Sequence, residues 1–263
     1  MKLFGKEKKN KPEENREMVQ PKKSPMQIGF EKNLKFLNRD TYPLDFFQSL
    51  WNGKFGTENF TVGETDIPTG EIVLADPLAY LGSKYETILE NKIPTGSYPV
   101  EISVLRSPTA GIRVAAARLK IKEADAVEYK LAMPKGHTAE DYGKPGAFSF
   151  FGVDTGTGCF ADKAVSEEFC KFTTDWHIAN QDKNIYDDYF RELFEKSYKK
   201  YPDIQTPYGD FLLWKLPESG NRLIMFSSGL GDGVYSGYWG IDEKGEAAEL
   251  VVPFMNPEFF VIT

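Results

Sequence analysis

Two cysteines and two histidines in 263 residues leave little of the chemistry those side chains usually supply. A disulfide scaffold is excluded, and a zinc site of the usual kind would have only His137 and His177 to draw on. No apolar run approaches the roughly 18 residues that a membrane-spanning helix needs. At the amino terminus only Leu3 and Phe4 interrupt a lysine-rich start, so the apolar centre of a secretory signal is missing. These absences predict a cytoplasmic protein whose Cys159 and Cys170 remain thiols. Basic charge is also short: 32 Lys and Arg against 39 Asp and Glu give a net charge of −7 and a pI near 5.1. That balance argues against a nucleic-acid backbone as the main partner.

What is present is the composition of a folded chain, with 41% hydrophobic, 27% charged and 14% aromatic residues. The net charge hides an asymmetry. Residues 1–25 hold eight basic and four acidic side chains, so this segment carries +4 and the rest of the chain −11. Interspersed glutamates predict a solvated, disordered tail over 1–25 rather than an arm for anionic lipid or an acidic partner. The remainder, 26–263, is expected to form a single β-rich domain.

Tyr42–Trp51 reads as a short helix, with Pro43 near its first turn and Asn52-Gly53 as its stop. Phe60–Val62, Glu71–Ala75, Tyr98–Leu105 and Ile112–Ile121 are β-branched or alternating stretches between turn residues, the spacing of an antiparallel sheet. Ile67-Pro68-Thr69-Gly70 recurs as Ile93-Pro94-Thr95-Gly96, which suggests one Pro-initiated turn used twice. Ala147–Val153 is a near-continuous apolar run expected to be a central strand buried on both faces. A helical insertion follows over about 162–200. In it Val165, Phe169, Phe172 and Trp176 form one apolar stripe behind Asp162 as N-cap, and a second helix from about Asn184 to Lys200 has acidic residues first and lysines last. Strands resume at Phe211–Leu216, Leu223–Ser227, Val234–Ile241 and Leu250–Phe254, with Asp242–Gly245 as a hairpin loop. The fold class implied is α+β: a mostly antiparallel sheet or sandwich with a two-helix insertion.

Two segments concentrate glycine and aspartate where a strand is expected to end: Val153–Asp162 and Ser227–Tyr235. Glycines let backbone amides approach a ligand, and a carboxylate at a strand end is held where it can bind a cation or accept hydrogen bonds. The candidate ligand-binding residues are Asp154, Thr155, Gly156, Gly158, Cys159, Asp162, Gly231, Asp232, Gly233, Tyr235 and Trp239. Asp154, Asp162, Asp232 and Asp76 could together hold a divalent cation, since hard cations take oxygen ligands; the plainer account is that they cap turns and a helix. Cys159 as a nucleophile needs a lowered pKa and a base that the sequence does not identify. Asp154-Thr155-Gly156 matches the aspartic-protease tripeptide but lacks a second copy, and Gly229–Gly233 is spaced wrongly for a dinucleotide fingerprint. Tyr235, Tyr238 and Trp239 could stack on a ligand, with core packing as the plainer role.

These two loops, with Tyr238-Trp239-Gly240 and Leu250–Phe254, resemble the signature stretches of the bacterial domain-of-unknown-function family numbered 4241. Pro68-Thr69-Gly70 through Ala75-Asp76-Pro77, Pro94–Glu101 and Arg113–Arg118 agree, so the resemblance covers roughly residues 60–255. Leu230 stands where members commonly carry tryptophan. The resemblance implies no reaction, ligand or catalytic residue. The residues themselves favour a binding protein that engages a small ligand, a cation or a basic protein partner through the two loops, in one version as an immunity-type protein. The alternative is a hydrolase using a divalent metal on Asp154, Asp162 and Asp232, or using Cys159. The two loops are expected to meet.

Overall fold

The computed structural model describes residues 23–37, 41–144 and 149–261. The fold is α+β, with two antiparallel sheets packed face to face and helices on their outer surfaces. The first sheet has six strands in the order β1-β4-β5-β13-β12-β6. They are β1 (Thr57–Ile67), β4 (Gly96–Ser107), β5 (Gly111–Lys120), β6 (Glu128–Leu131), β12 (Tyr238–Ile241) and β13 (Ala247–Pro253). The second runs β3-β2-β8-β10-β9, from β2 (Glu71–Ala75), β3 (Thr87–Lys92), β8 (Thr157–Asp162), β9 (Phe211–Lys215) and β10 (Arg222–Ser227). A separate two-stranded ribbon pairs β7 (Phe151–Val153) with β11 (Gly233–Tyr235). No helix among the described residues is long and apolar enough to cross a membrane.

The period of two along the strands explains why the second sheet reads as unbroken apolar runs. Ile72, Leu74, Phe160, Ile224 and Phe226 face the first sheet, where they meet Val100, Ile102, Leu250 and Val252. Their neighbours Val73, Ala75, Cys159, Ala161, Leu223 and Met225 face the other way, onto the helices. Both faces are therefore sealed at the inner strands β2, β8 and β10, which are buried along most of their length, while the edge strands β3 and β9 keep exposed positions. The covering helices are α3 (Lys163–Ala179) and α4 (Arg191–Lys200), joined through a π-helical turn at Tyr186–Phe190. Asp162 caps α3 by accepting from the Ala164 amide at 2.8 Å. The α3 stripe brings Phe169 and Phe172 against Phe190 and Trp214. On the first sheet, α2 (Leu44–Trp51) packs Phe46, Phe47 and Leu50 over Ala116, Tyr238 and Val251.

Several sequence expectations are corrected. Residues 1–22 of the basic tail lie outside the described residues, and Pro25 already begins α1 (Pro25–Leu37), an element that the sequence reading did not anticipate. The run Ala147–Val153 is not a central strand: 147 and 148 lie outside the described residues, Phe150 is exposed, and only Phe151–Val153 pair, in the ribbon. The central strand of the second sheet is β8, which lies within the glycine–aspartate segment Val153–Asp162 that reads as loop in the sequence. Val234–Ile241 is two strands in different sheets, divided at Ser236-Gly237. The repeated tetrapeptide is not a repeated turn, since Gly70 takes a left-handed φ of 80° while Gly96 opens β4 opposite Ile67.

One ion-pair group ties the two sheets. The Arg222 guanidinium donates to both Asp66 oxygens and, at 2.6 Å, to Glu64, while Ser97 donates to Asp66. Partial burial pushes the Asp66 carboxyl up, but the bonds from Arg222 and Ser97 outweigh this and hold it at about 2, below its ordinary 3.8. A carboxylate lowered in the folded state stabilises above its unfolded pKa and ceases to do so as pH falls through the folded value. Asp66→Asn is therefore expected to cost about 2 kcal/mol at pH 7, with the difference from wild type shrinking between pH 4 and pH 2. Urea unfolding across that range checks it; a difference independent of pH would refute the assignment.

Candidate functional site

The β7–β11 ribbon decides whether the two glycine–aspartate loops meet. Val153 is paired with Gly233 and Gly152 with Val234. Asp154 and Asp232 are the next residues on facing strands, so they leave the same end of the ribbon side by side. The Ser228 amide donates to the Gly156 carbonyl at 2.9 Å, joining the loops again. Gly156 and Gly231 take φ values of 66° and 97°, which turns this tight require of a residue without Cβ.

Beneath the first loop lies Asp76, directly after β2 and fully buried. Its Oδ2 accepts from the Asp154 and Thr155 amides at 2.9 and 2.7 Å. Its Oδ1 accepts from the Leu78 amide at 2.9 Å and from the Thr155 and Thr157 hydroxyls at 2.7 and 3.1 Å. Charge-assisted bonds of this kind are stronger than neutral ones, and together they offset the cost of burying the carboxylate. Asp76 is thus the internal brace of the loop, with its lone pairs spent on protein donors.

Above that brace opens a cleft of about 460 Å³, lined by Asp154, Thr155, Gly156, Asn184, Tyr186, Asp187 and Asp232. Asp154, Asp187 and Asp232 are all exposed to solvent there. Asp154 accepts a 2.6 Å bond from the Tyr80 hydroxyl, and that bond raises the Tyr80 phenol above its ordinary pKa. Asn184 caps the π-helical turn, accepting from the Tyr186 and Asp187 amides at 2.8 and 3.2 Å, and so fixes where Asp187 stands. Asp187 also lies 3.7 Å from Arg191 at the rim.

Of the sequence candidates, Asp154, Thr155, Gly156 and Asp232 line this cleft, while Gly231 and Gly233 flank Asp232 in the chain. Gly158, Cys159 and Asp162 belong to β8, which is buried from end to end. The Cys159 thiol faces the Ala75 carbonyl at 3.5 Å inside the core, away from the cleft, and burial pushes its pKa well above the ordinary value, which disfavours the thiolate. Asp162 stands five residues along the strand from Thr157, about 16 Å away at the usual rise. Its oxygens are taken by the Thr69 amide and hydroxyl and the Ala164 amide. The proposed cation quartet of Asp154, Asp162, Asp232 and Asp76 therefore does not assemble. Among the described residues no group of three or more His, Cys, Asp or Glu is placed to hold a metal ion. Tyr235 supports the loop from below by donating to the Gly231 carbonyl at 2.8 Å; burial pushes its phenol up to about 12. Trp239 is core between the sheets.

Tyr80, Asn184, Tyr186 and Asp187 are site residues that the sequence reading missed. Asp187 was visible only as a helix first-turn acid, and nothing local said that this turn faces the loops.

The profile of the family described as "Protein of unknown function (DUF4241)" matches residues 65–252. The chain belongs to this family. Every cleft residue, with Asp76 and Tyr80, lies inside the DUF4241 segment, while α1 and α2 precede it. No curated protein and no solved structure matched the chain.

Proposed function

We propose that this DUF4241 chain is a non-catalytic binding protein of the bacterial cytoplasm, whose acidic cleft receives a positively charged group of a basic protein partner. The observation that carries the reading is the convergence of Asp154, Asp187 and Asp232 on one open cleft, over a loop whose backbone is fixed by Asp76. Exposed carboxylates suit cationic side chains, which can be taken up without a large desolvation cost. Neutralising a basic protein, as an immunity protein does a toxin, is a form of this role that suits a chain carrying −11 beyond residue 25. The hydrolase alternative has less support, because Cys159 and Asp162 are buried away from the cleft.

The test is titration calorimetry with a lysine-rich peptide, on wild type and on Asp154→Asn/Asp187→Asn/Asp232→Asn. Each exposed charge contact is worth about 0.2–1 kcal/mol, so the triple variant is expected to bind about tenfold more weakly, with a smaller difference at high salt. Free amines and Mg²⁺, Mn²⁺ or Ca²⁺ form the control arms. Metal-specific thermal stabilisation that the variant loses would replace this reading with the metal-dependent one.

A further inference from the structure

Asp232 lines a second cavity as well as the cleft. This groove, of about 360 Å³, runs between α1 and β11, and its walls are apolar: Phe30 and Leu34 on one side, Leu230 and Val234 on the other. Leu34 is 54% exposed and Val234 61%. Large apolar side chains held this open beside a concave surface form a patch that water covers poorly, and such patches on folded chains mark sites of association. The helix wall is not loosely placed. Asn33 is buried and clamps α1 to the chain end, accepting from the Asn256 amide at 2.6 Å and donating to the Phe254 carbonyl.

We infer that the groove and the cleft are one docking surface, whose occupant is an amphipathic basic segment of a partner protein, with an apolar side chain in the groove and lysine or arginine in the cleft. The inference rests on the cationic reading of the cleft. The sign of the occupant follows from charge complementarity: Asp232 borders both cavities, and Asp154 and Asp187 lie beyond it. A second copy of this chain is disfavoured by the same argument, since two molecules of net charge −7 would bring carboxylates to carboxylates. An apolar anchor beside a ring of charged contacts is the usual division of labour in a peptide site: the anchor supplies affinity, and the charges supply orientation and encounter rate.

The test uses the full chain and two fluorescent synthetic peptides of equal charge, one carrying two leucines and four lysines, the other with both leucines replaced by alanine. The wild type is expected to bind the leucine peptide at least about tenfold more tightly. Leu34→Gln/Val234→Thr, two exposed positions whose replacement leaves the core intact, is expected to abolish that preference while leaving the alanine peptide's affinity unchanged. Asp154→Asn/Asp187→Asn is expected to weaken both peptides together. Equal binding of the two peptides to wild type would overturn the groove and leave the cleft standing. Preference for leucine without any effect of the aspartate variant would overturn the cleft reading instead. The segment 1–22 also combines apolar Leu3 and Phe4 with lysines; tighter binding of both peptides after its deletion would make that segment the occupant and overturn the assignment to a partner.

Discussion

Asp76→Asn is expected to destabilise the folded chain by about 3–5 kcal/mol and to abolish peptide binding in the cleft. The substitution keeps size and shape but turns one oxygen into an NH₂ group that faces donors. If the amide group replaces Oδ2, the Asp154 and Thr155 amides lose their acceptor; if it replaces Oδ1, the Leu78 amide and the Thr157 hydroxyl do. A buried donor left without a partner costs about 1–3 kcal/mol, and each flip strands at least two. The remaining bonds also lose their charge assistance. Equilibrium urea unfolding measures the loss as a shift in midpoint at constant slope. A loss below about 1 kcal/mol would mean that the β7–β11 ribbon holds the loop unaided.

Arg118→Met is expected to cost about 3 kcal/mol, from the outer face of the first sheet, where nothing of the candidate site lies. Arg118 donates to Glu101 at 2.7 Å and to Glu249 at 3.1 Å, and its guanidinium lies 4.1 Å from the centre of the Trp51 ring. Glu249 is only 4% exposed at its side chain and holds Lys120 at 3.5 Å as well as the Tyr129 hydroxyl. Burial, followed by the Glu249 charge, raises the Tyr129 phenol far above its usual range, so it stays a donor. Removing one partner of a buried pair typically costs about 3–5 kcal/mol, because the other charge is left uncompensated. The neighbouring cavity of about 600 Å³ admits solvent and sets the expectation at the low end. Arg118→Met/Glu249→Met is expected to recover part of the loss, because it removes the stranded Glu249 carboxylate but leaves Lys120 and the Tyr129 hydroxyl without it. A double variant as unstable as the single one would show that packing on Trp51, and not the charge, is what Arg118 supplies.

The sequence was most legible where turn residues bound an apolar run or where helical spacing is unbroken. The α3 stripe at Val165, Phe169, Phe172 and Trp176 and the strands around Glu71–Ala75 and Ile112–Ile121 have the expected positions. The misreadings arise where composition and position part company: an apolar run carries no period that says which sheet it joins, and a glycine reads as a break. The unbroken apolar run Ala147–Val153 looked central although Phe150 is exposed and only Phe151–Val153 pair, and the glycine at 158 made the central β8 look like a loop. The helix α1 was hidden by Gly29, a poor helix former that is needed because a Cβ there would sit 2.9 Å from both the Phe259 carbonyl and the Phe260 ring. At the site, aspartates 154 and 232 could be named, but their adjacency depends on a ribbon of three residues per strand that closes about 80 residues of chain. Asp76 is a single acid before a proline in the sequence. Its role exists only because Ala75 pairs with Cys159 and brings the first loop over it.

The brace under the first loop also sets where conformational entropy is lost on binding. The amides of Asp154 and Thr155 are already immobilised on a buried carboxylate, so that side of the cleft has surrendered its freedom during folding. The second loop is held through its own carbonyls, that of Gly231 receiving the Ser228 and Tyr235 hydroxyls and that of Gly229 the Arg113 guanidinium, while among the described residues no bond of that kind fixes Asp232 at its tip. Ordering on capture therefore falls more on the Leu230–Asp232 tip than on the first loop, which makes that tip the place where stiffening substitutions would convert into tighter association.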